Sequence, residues 1–112
     1  MKVVMWMVAG IVLTSAAAMY GQTPAQVQAG QALYQKHGCA KCNLAAGRGN
    51  KMFPLDGVAS KMKPADIRAW LANPAEMEKK LPKPPPLKMS AQKYNFKPEE
   101  IDALVAYLQT LK

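Results

Sequence analysis

The sequence has one histidine and two cysteines among its 112 residues, and aromatic side chains make up only 7% of it. Two cysteines are too few for a small secreted scaffold that is held together by several disulfides. With the histidine they give three soft ligands, whereas a structural zinc site needs four. Acidic side chains are scarce as well, with 7 against 15 basic ones and a net charge of +8.

Apolar and turn-forming residues are present in quantity. Half of the residues are hydrophobic, which is too large a fraction for a disordered tail. Nine prolines and seven glycines indicate many turns and leave little room for a sheet. The length allows one domain.

The first 18 residues have the pattern of an export signal. Lys2 precedes an apolar run over residues 3–18, which ends in the small residues Ala16, Ala17 and Ala18. The run is shorter than the roughly 20 residues that span a bilayer, although an uncleaved membrane anchor is the alternative. We therefore expect a signal peptide at 1–18, a domain at 19–112, and export, to the periplasm if the source is bacterial.

The remaining sequence predicts helices joined by long loops. Thr23 and Pro24 begin a first helix, and Gly38 ends it just before Cys39. Residues 43–58 are predicted as loop, and a short helix from Pro64 ends near Asn73. Residues 79–88 are predicted to be extended and basic. A last helix from Pro98 carries an apolar stripe of Ile101, Leu104, Val105, Leu108 and Leu111.

Cys39-Ala40-Lys41-Cys42 is the motif with the most chemistry. A thioredoxin-like dithiol would follow a β-strand, and this sequence predicts no strand before Cys39. A zinc site would need further ligands, which the sequence does not offer. Thioether attachment of haem is the third chemistry, because cysteines three residues apart on a helical turn lie on one side of it. That motif ordinarily continues with histidine, but here Asn43 follows Cys42.

From Val27 to Lys112 the chain resembles a small class I cytochrome c. Gly30 and Tyr34 stand where that family has a glycine and an aromatic residue in its first helix. The family's other motifs are matched by residues 47–49, 53–55, 70–74 and 98–108. The resemblance implies an all-α fold with three to four helices and long loops around a haem pocket. It also implies that the first and last helices cross, with Leu104 and Tyr107 against Gly30 and Tyr34.

The resemblance also implies one covalent haem c with its iron. Cys39 and Cys42 would hold the haem, and Met89 would be the distal ligand, although a shift of two residues would place Leu87 there. Asn43 occupies the proximal position, where an amide is a poor ligand. His37 is the only other candidate, and its direction on the helix makes ligation unfavourable. The Trp70 indole and the Arg48 guanidinium are candidate contacts to the haem propionates.

The implied function is that of an electron carrier, not an enzyme. Electrons would pass through the exposed haem edge to redox partner proteins. Lys79, Lys80, Lys83 and Lys88 would attract partners with an acidic docking surface. No nucleic-acid partner is expected. Association with a membrane is expected only if the N-terminal segment is uncleaved. Two alternatives remain: a haem-free binding or structural module with a Cys39–Cys42 disulfide, and an open-site haem protein with peroxidase-like or gas-binding activity.

The N-terminal pattern predicts signal cleavage near Ala18. N-terminal sequencing of the exported protein should therefore give a chain that begins near Met19. A mature chain that still begins at Met1 would identify the segment as an anchor.

Overall fold

The structure is a computed structural model that describes residues 23–112, so the predicted signal segment lies outside the described residues. It contains five α-helices, which are α1 (Pro24–Lys36), α2 (Val58–Lys61), α3 (Pro64–Ala72), α4 (Pro74–Lys79) and α5 (Pro98–Leu108). Two short 3₁₀ turns lie at Cys39–Lys41 and Met89–Gln92, and two short strands, β1 (Leu44–Ala45) and β2 (Arg48–Gly49), form a hairpin. The all-α fold is confirmed.

The predicted ends of the long helices are also confirmed. The Thr23 hydroxyl caps α1 by accepting a hydrogen bond from the N–H of Gln26 at 3.2 Å. Gly38 ends the helix in a left-handed conformation with φ of 64°. Pro98 begins α5, and the side chain of Glu100 accepts a hydrogen bond from the N–H of Lys97 at 2.9 Å. Within residues 23–112, no helix is long and apolar enough to cross a membrane.

The structure corrects the sequence analysis in two places. Residues 43–58 are not loop throughout, because β1 and β2 pair there and α2 begins at Val58. The Asp56 carboxylate accepts hydrogen bonds from the N–H groups of Ala46 and Gly47, at 2.6 and 3.0 Å, and so fixes the hairpin turn. The number of helices exceeds four because Pro74 does not only end α3; it is also the first residue of α4.

The core is built on α5 and its crossing with α1. Leu104 and Val105 are almost fully buried, at 1% and 2% exposed, and seven of the eleven residues of α5 are buried. The rings of Tyr34 and Tyr107 meet across the crossing with centroids 5.5 Å apart. Gly30 lies against the backbone carbonyl of Ala103 and close to the Tyr107 Cβ, so the predicted crossing of the first and last helices is confirmed.

Replacing Gly30 with alanine should destabilise the protein by roughly 1–3 kcal/mol. A Cβ at Gly30 would overlap the Ala103 carbonyl and lie 2.7 Å from the Tyr107 Cβ, although alanine is the better helix former. Urea unfolding of Gly30→Ala measures the loss. The control is Ala29→Gly on the exposed neighbour, which should lose only the about 0.5–1 kcal/mol of helix propensity. A Gly30→Ala protein as stable as the parent would mean that the helices do not approach so closely.

Candidate functional site

A cavity of about 480 Å³ opens beside α5, within the size range of cofactor pockets. Leu104 and Leu108 of α5 form its base, and Ile67, Trp70 and Leu71 of α3 form one side. The remaining apolar wall comes from Val58 of α2 and from loops and turns, with Phe53, Pro54, Leu55, Met62, Leu81, Pro85, Leu87 and Met89. The cavity therefore suits a large, mainly apolar molecule.

Both cysteines lie at this cavity as free thiols. Cys39 begins the 3₁₀ turn and Cys42 directly follows it, so the turn that the sequence indicated is formed. Helix α1 precedes the motif, in contrast to the strand that a thioredoxin-like dithiol requires. Burial raises the pKa of the Cys39 thiol to about 11. Cys39 is thus kept as a neutral thiol, which is unlike the activated thiolate of a redox-catalytic cysteine.

The cysteine turn is held from behind by the hairpin. The N–H of Asn50 donates to the carbonyls of Ala40 and Asn43, at 3.0 and 3.2 Å, and its side-chain amide donates to that of Lys41 at 3.1 Å. Gly49 makes this approach possible, because a Cβ there would overlap the Asn43 carbonyl. Its φ of 109° is also one that residues with a side chain rarely adopt. The turn therefore presents both thiols from a fixed backbone.

Asn43 lies at the cavity next to Cys42, and its side-chain amide points back to the 3₁₀ turn that carries the two cysteines. The Asn43 Nδ2 donates to the Cys39 carbonyl at 3.1 Å, and the Asn43 N–H donates to the same carbonyl at 3.0 Å. The Tyr34 hydroxyl donates to the Asn43 carbonyl at 3.5 Å, and burial raises the pKa of Tyr34 to about 12, so the hydroxyl keeps its proton. The Asn43 side chain thus caps the cysteine turn.

His37 does not line the cavity. Its ring packs edge to face on Phe96 and Tyr94, with centroid distances of 4.9 and 5.8 Å. Within the described residues, its buried Nε2 has no hydrogen-bond partner. The Tyr94 hydroxyl donates to the His37 carbonyl at 3.2 Å. His37 is therefore part of an aromatic cluster, and the structure does not favour it as a ligand at the cavity.

The other predicted site residues separate into two groups. Trp70, Met89 and Leu87 all line the cavity. Both residues considered for the distal position, Met89 and Leu87, are therefore at the cavity. Arg48 is exposed on β2 and is not among the lining residues. In the part of the chain that is described, Lys61 is the one cationic side chain at the cavity. Lys61 was not predicted at the cavity, because α2 lies in a stretch of sequence without a clear hydrophobic period.

Glu78 is the acidic side chain at the cavity, and sequence reasoning missed it too. Its carboxylate accepts hydrogen bonds from the hydroxyl and the N–H of Ser90, at 2.6 and 2.9 Å. These hydrogen bonds hold the pKa of Glu78 below its usual value. The contact ties α4 to the 3₁₀ turn that begins at Met89.

The residues at the cavity fit a covalently held porphyrin. Two free thiols stand on one turn at the wall, the wall is otherwise largely apolar, and a methionine lies at the same cavity. The wall does not supply an imidazole, because His37 is the only histidine of the chain and packs elsewhere. The fit thus extends to attachment and enclosure but not to the proximal ligand.

Comparison with known proteins agrees with this geometry. The family model described as Cytochrome c matches residues 27–112, which is more than half of the chain. No curated protein and no solved structure matches the chain significantly.

The raised pKa predicts that Cys39 of the haem-free protein reacts slowly with iodoacetamide at pH 8. The rate should be on the order of ten- to a hundredfold below that of the urea-unfolded chain, and it should rise with pH until about pH 11. Trypsin cleaves after Lys41, so the two cysteines fall in separate peptides and mass spectrometry can follow each one. Labelling of Cys39 at the unfolded rate would contradict its burial.

Proposed function

The chain belongs to the cytochrome c family, which binds covalent haem c with iron, and we propose that it is an exported carrier of single electrons. The family is generally one of electron carriers rather than enzymes, which supports this role. The observation that carries the proposal is the apolar cavity with two free thiols on one turn and Met89 at the same cavity.

In this proposal Cys39 and Cys42 bind the haem covalently, and Met89 is the distal ligand. The haem supplies an iron that accepts and releases one electron. The chain holds it by two thiols on a turn that the hairpin fixes, and the apolar wall excludes water from it. Trp70 is the proposed donor to a propionate because it lines the cavity, and Lys61 is better placed than Arg48 for a second contact.

A basic surface beside the cavity supports a partner with an acidic docking surface. Lys79, Lys80, Lys83 and Lys88 are exposed, and they flank Leu81, Pro85 and Leu87 of the cavity wall. Positive charge around an exposed apolar rim speeds encounter with acidic proteins and makes the rate depend on salt. Export, to the periplasm in a bacterium, is proposed from the N-terminal sequence alone.

The side chain of Asn43 favours a second candidate function. Its Nδ2 is committed to the Cys39 carbonyl, and a neutral amide is a weak ligand in any case. A haem held here would have an accessible position on that side, which suits gas binding or peroxidase-like chemistry. Binding of cyanide or azide to the ferric protein distinguishes this candidate, since an open position takes up such anions quickly.

Covalent haem on the exported protein is the decisive test. Intact mass should equal the chain without its first 18 or so residues plus one haem, and a pyridine haemochrome spectrum should show two thioether bonds. Cys39→Ser and Cys42→Ser should each retain at most one thioether. A mass without haem, with two hydrogens lost to a disulfide, would instead support the haem-free module.

Asn43→His should convert the motif to Cys-x-x-Cys-His and act in opposite directions with and without haem. With haem, restored His/Met ligation should raise the covalent yield and the stability, and it should raise the reduction potential because a thioether favours ferrous iron. Without haem, the variant should lose the hydrogen bond to Cys39 and be less stable by about 0.5–1.5 kcal/mol. Thermal unfolding of both forms measures the two effects. If neither protein acquires haem in a host with full attachment machinery, the electron-carrier proposal fails.

A further inference from the structure

The segment that leads to Met89 is closed across its base by one side chain. Residues 80–88 join α4 to the 3₁₀ turn at Met89–Gln92, and Glu78 and Ser90 meet where the segment begins and ends. Glu78 Oε1 accepts from the Ser90 N–H at 2.9 Å, and Glu78 Oε2 accepts from the Ser90 hydroxyl at 2.6 Å. One carboxylate thus binds the backbone and the side chain of the residue that follows Met89.

The segment itself has little else to hold it. Four of its nine residues are prolines, which have no N–H to donate. Backbone hydrogen bonds are found at its two ends, from Leu81 to Glu78 and from Ala91 to Lys88, both at 3.1 Å. Most of its side chains are exposed, including Leu81 and Leu87 at 38% and 42%. The segment therefore does little to fix the backbone at Met89, which is held by the packing of its own side chain against the core and by what fixes Ser90.

The Glu78–Ser90 contact differs from an ordinary surface pair. Glu76, on the same helix, pairs with Lys79 at 3.0 Å, but both side chains are more than half exposed and three residues apart in sequence. Such pairs contribute little. Glu78 is half-buried at the cavity, uses both oxygens, and joins segments 12 residues apart. Hydrogen bonds to an ionised carboxylate are about twice as strong as those between neutral groups.

We propose that Glu78 is a positioning residue that holds Met89 at the cavity by binding Ser90. The inference rests on the proposed function in one respect, which is that Met89 is the distal ligand. Glu78 itself does not bind the iron. Its role is to keep the backbone at residues 89 and 90 fixed, so that the thioether stays in place.

The first test uses the protein without haem. Hydrogen exchange of the amides at residues 89–92 should be about tenfold faster in Glu78→Ala than in the parent. Glu76→Ala is the matched control and should leave these amides unchanged, because its pair lies on the surface. Glu78→Gln should be intermediate, since an amide oxygen still accepts one hydrogen bond. Equal exchange in Glu78→Ala and Glu76→Ala would overturn the proposal.

The second test uses the haem-loaded protein and its ferric thioether-to-iron charge-transfer band. Met89→Ala should abolish the band, Glu78→Ala should weaken it markedly, and Glu76→Ala should leave it at the parent's intensity. If Glu78→Ala does not fold, Ser90→Ala removes only the hydroxyl bond and should weaken the band to a smaller degree. An undiminished band in Glu78→Ala and Ser90→Ala would overturn the positioning role alone. A parent that carries haem but lacks the band would overturn the assignment of Met89, and this proposal with it.

Discussion

The close crossing of α1 and α5 determines where the rest of the chain can lie. Gly30 allows the backbone of α1 to reach the Ala103 carbonyl, and the Tyr34 and Tyr107 rings then meet at 5.5 Å. With α1 fixed on α5, Gly38 turns the chain so that Cys39 and Cys42 come to the cavity above Leu104. A side chain at residue 30 would push the helices apart, and the thiols would no longer stand over the same base.

Hydrogen bonds from two asparagines hold the cysteine turn. Asn43 caps it from within, and Asn50 holds it from the hairpin side. The asparagine at position 43 therefore has a structural role of its own. Asn43 thus strengthens the turn on which the thiols stand.

The sequence was most informative where a local rule fixes the backbone. Thr23 caps a helix, Gly38 adopts the left-handed φ that ends one, and Pro98 has the φ that begins one. Each of these effects depends only on residues that are close in sequence. The candidate thiols followed from spacing on a single turn. Glu78 and Asp56 were not predicted, because each binds a residue ten or twelve positions away and no periodic pattern marks such a pair. The approach of Lys61 to the cavity, and the distance of Arg48 from it, depend likewise on tertiary packing.

The contact between Glu78 and Ser90 joins the two ends of the proline segment, residues 80–88. The segment carries exposed lysines on one side and contributes to the cavity wall on the other. The charge of the exposed lysines in residues 80–88 can change while Glu78 and Ser90 keep their contact, because these lysines do not line the cavity, which the segment reaches through Leu81, Pro85 and Leu87. Lys80, Lys83 and Lys88 can therefore be exchanged without loss of a residue that lines the cavity. One short segment thus combines a charge pattern that is open to change with an apolar face that must stay, and a single carboxylate fixes the two ends of both.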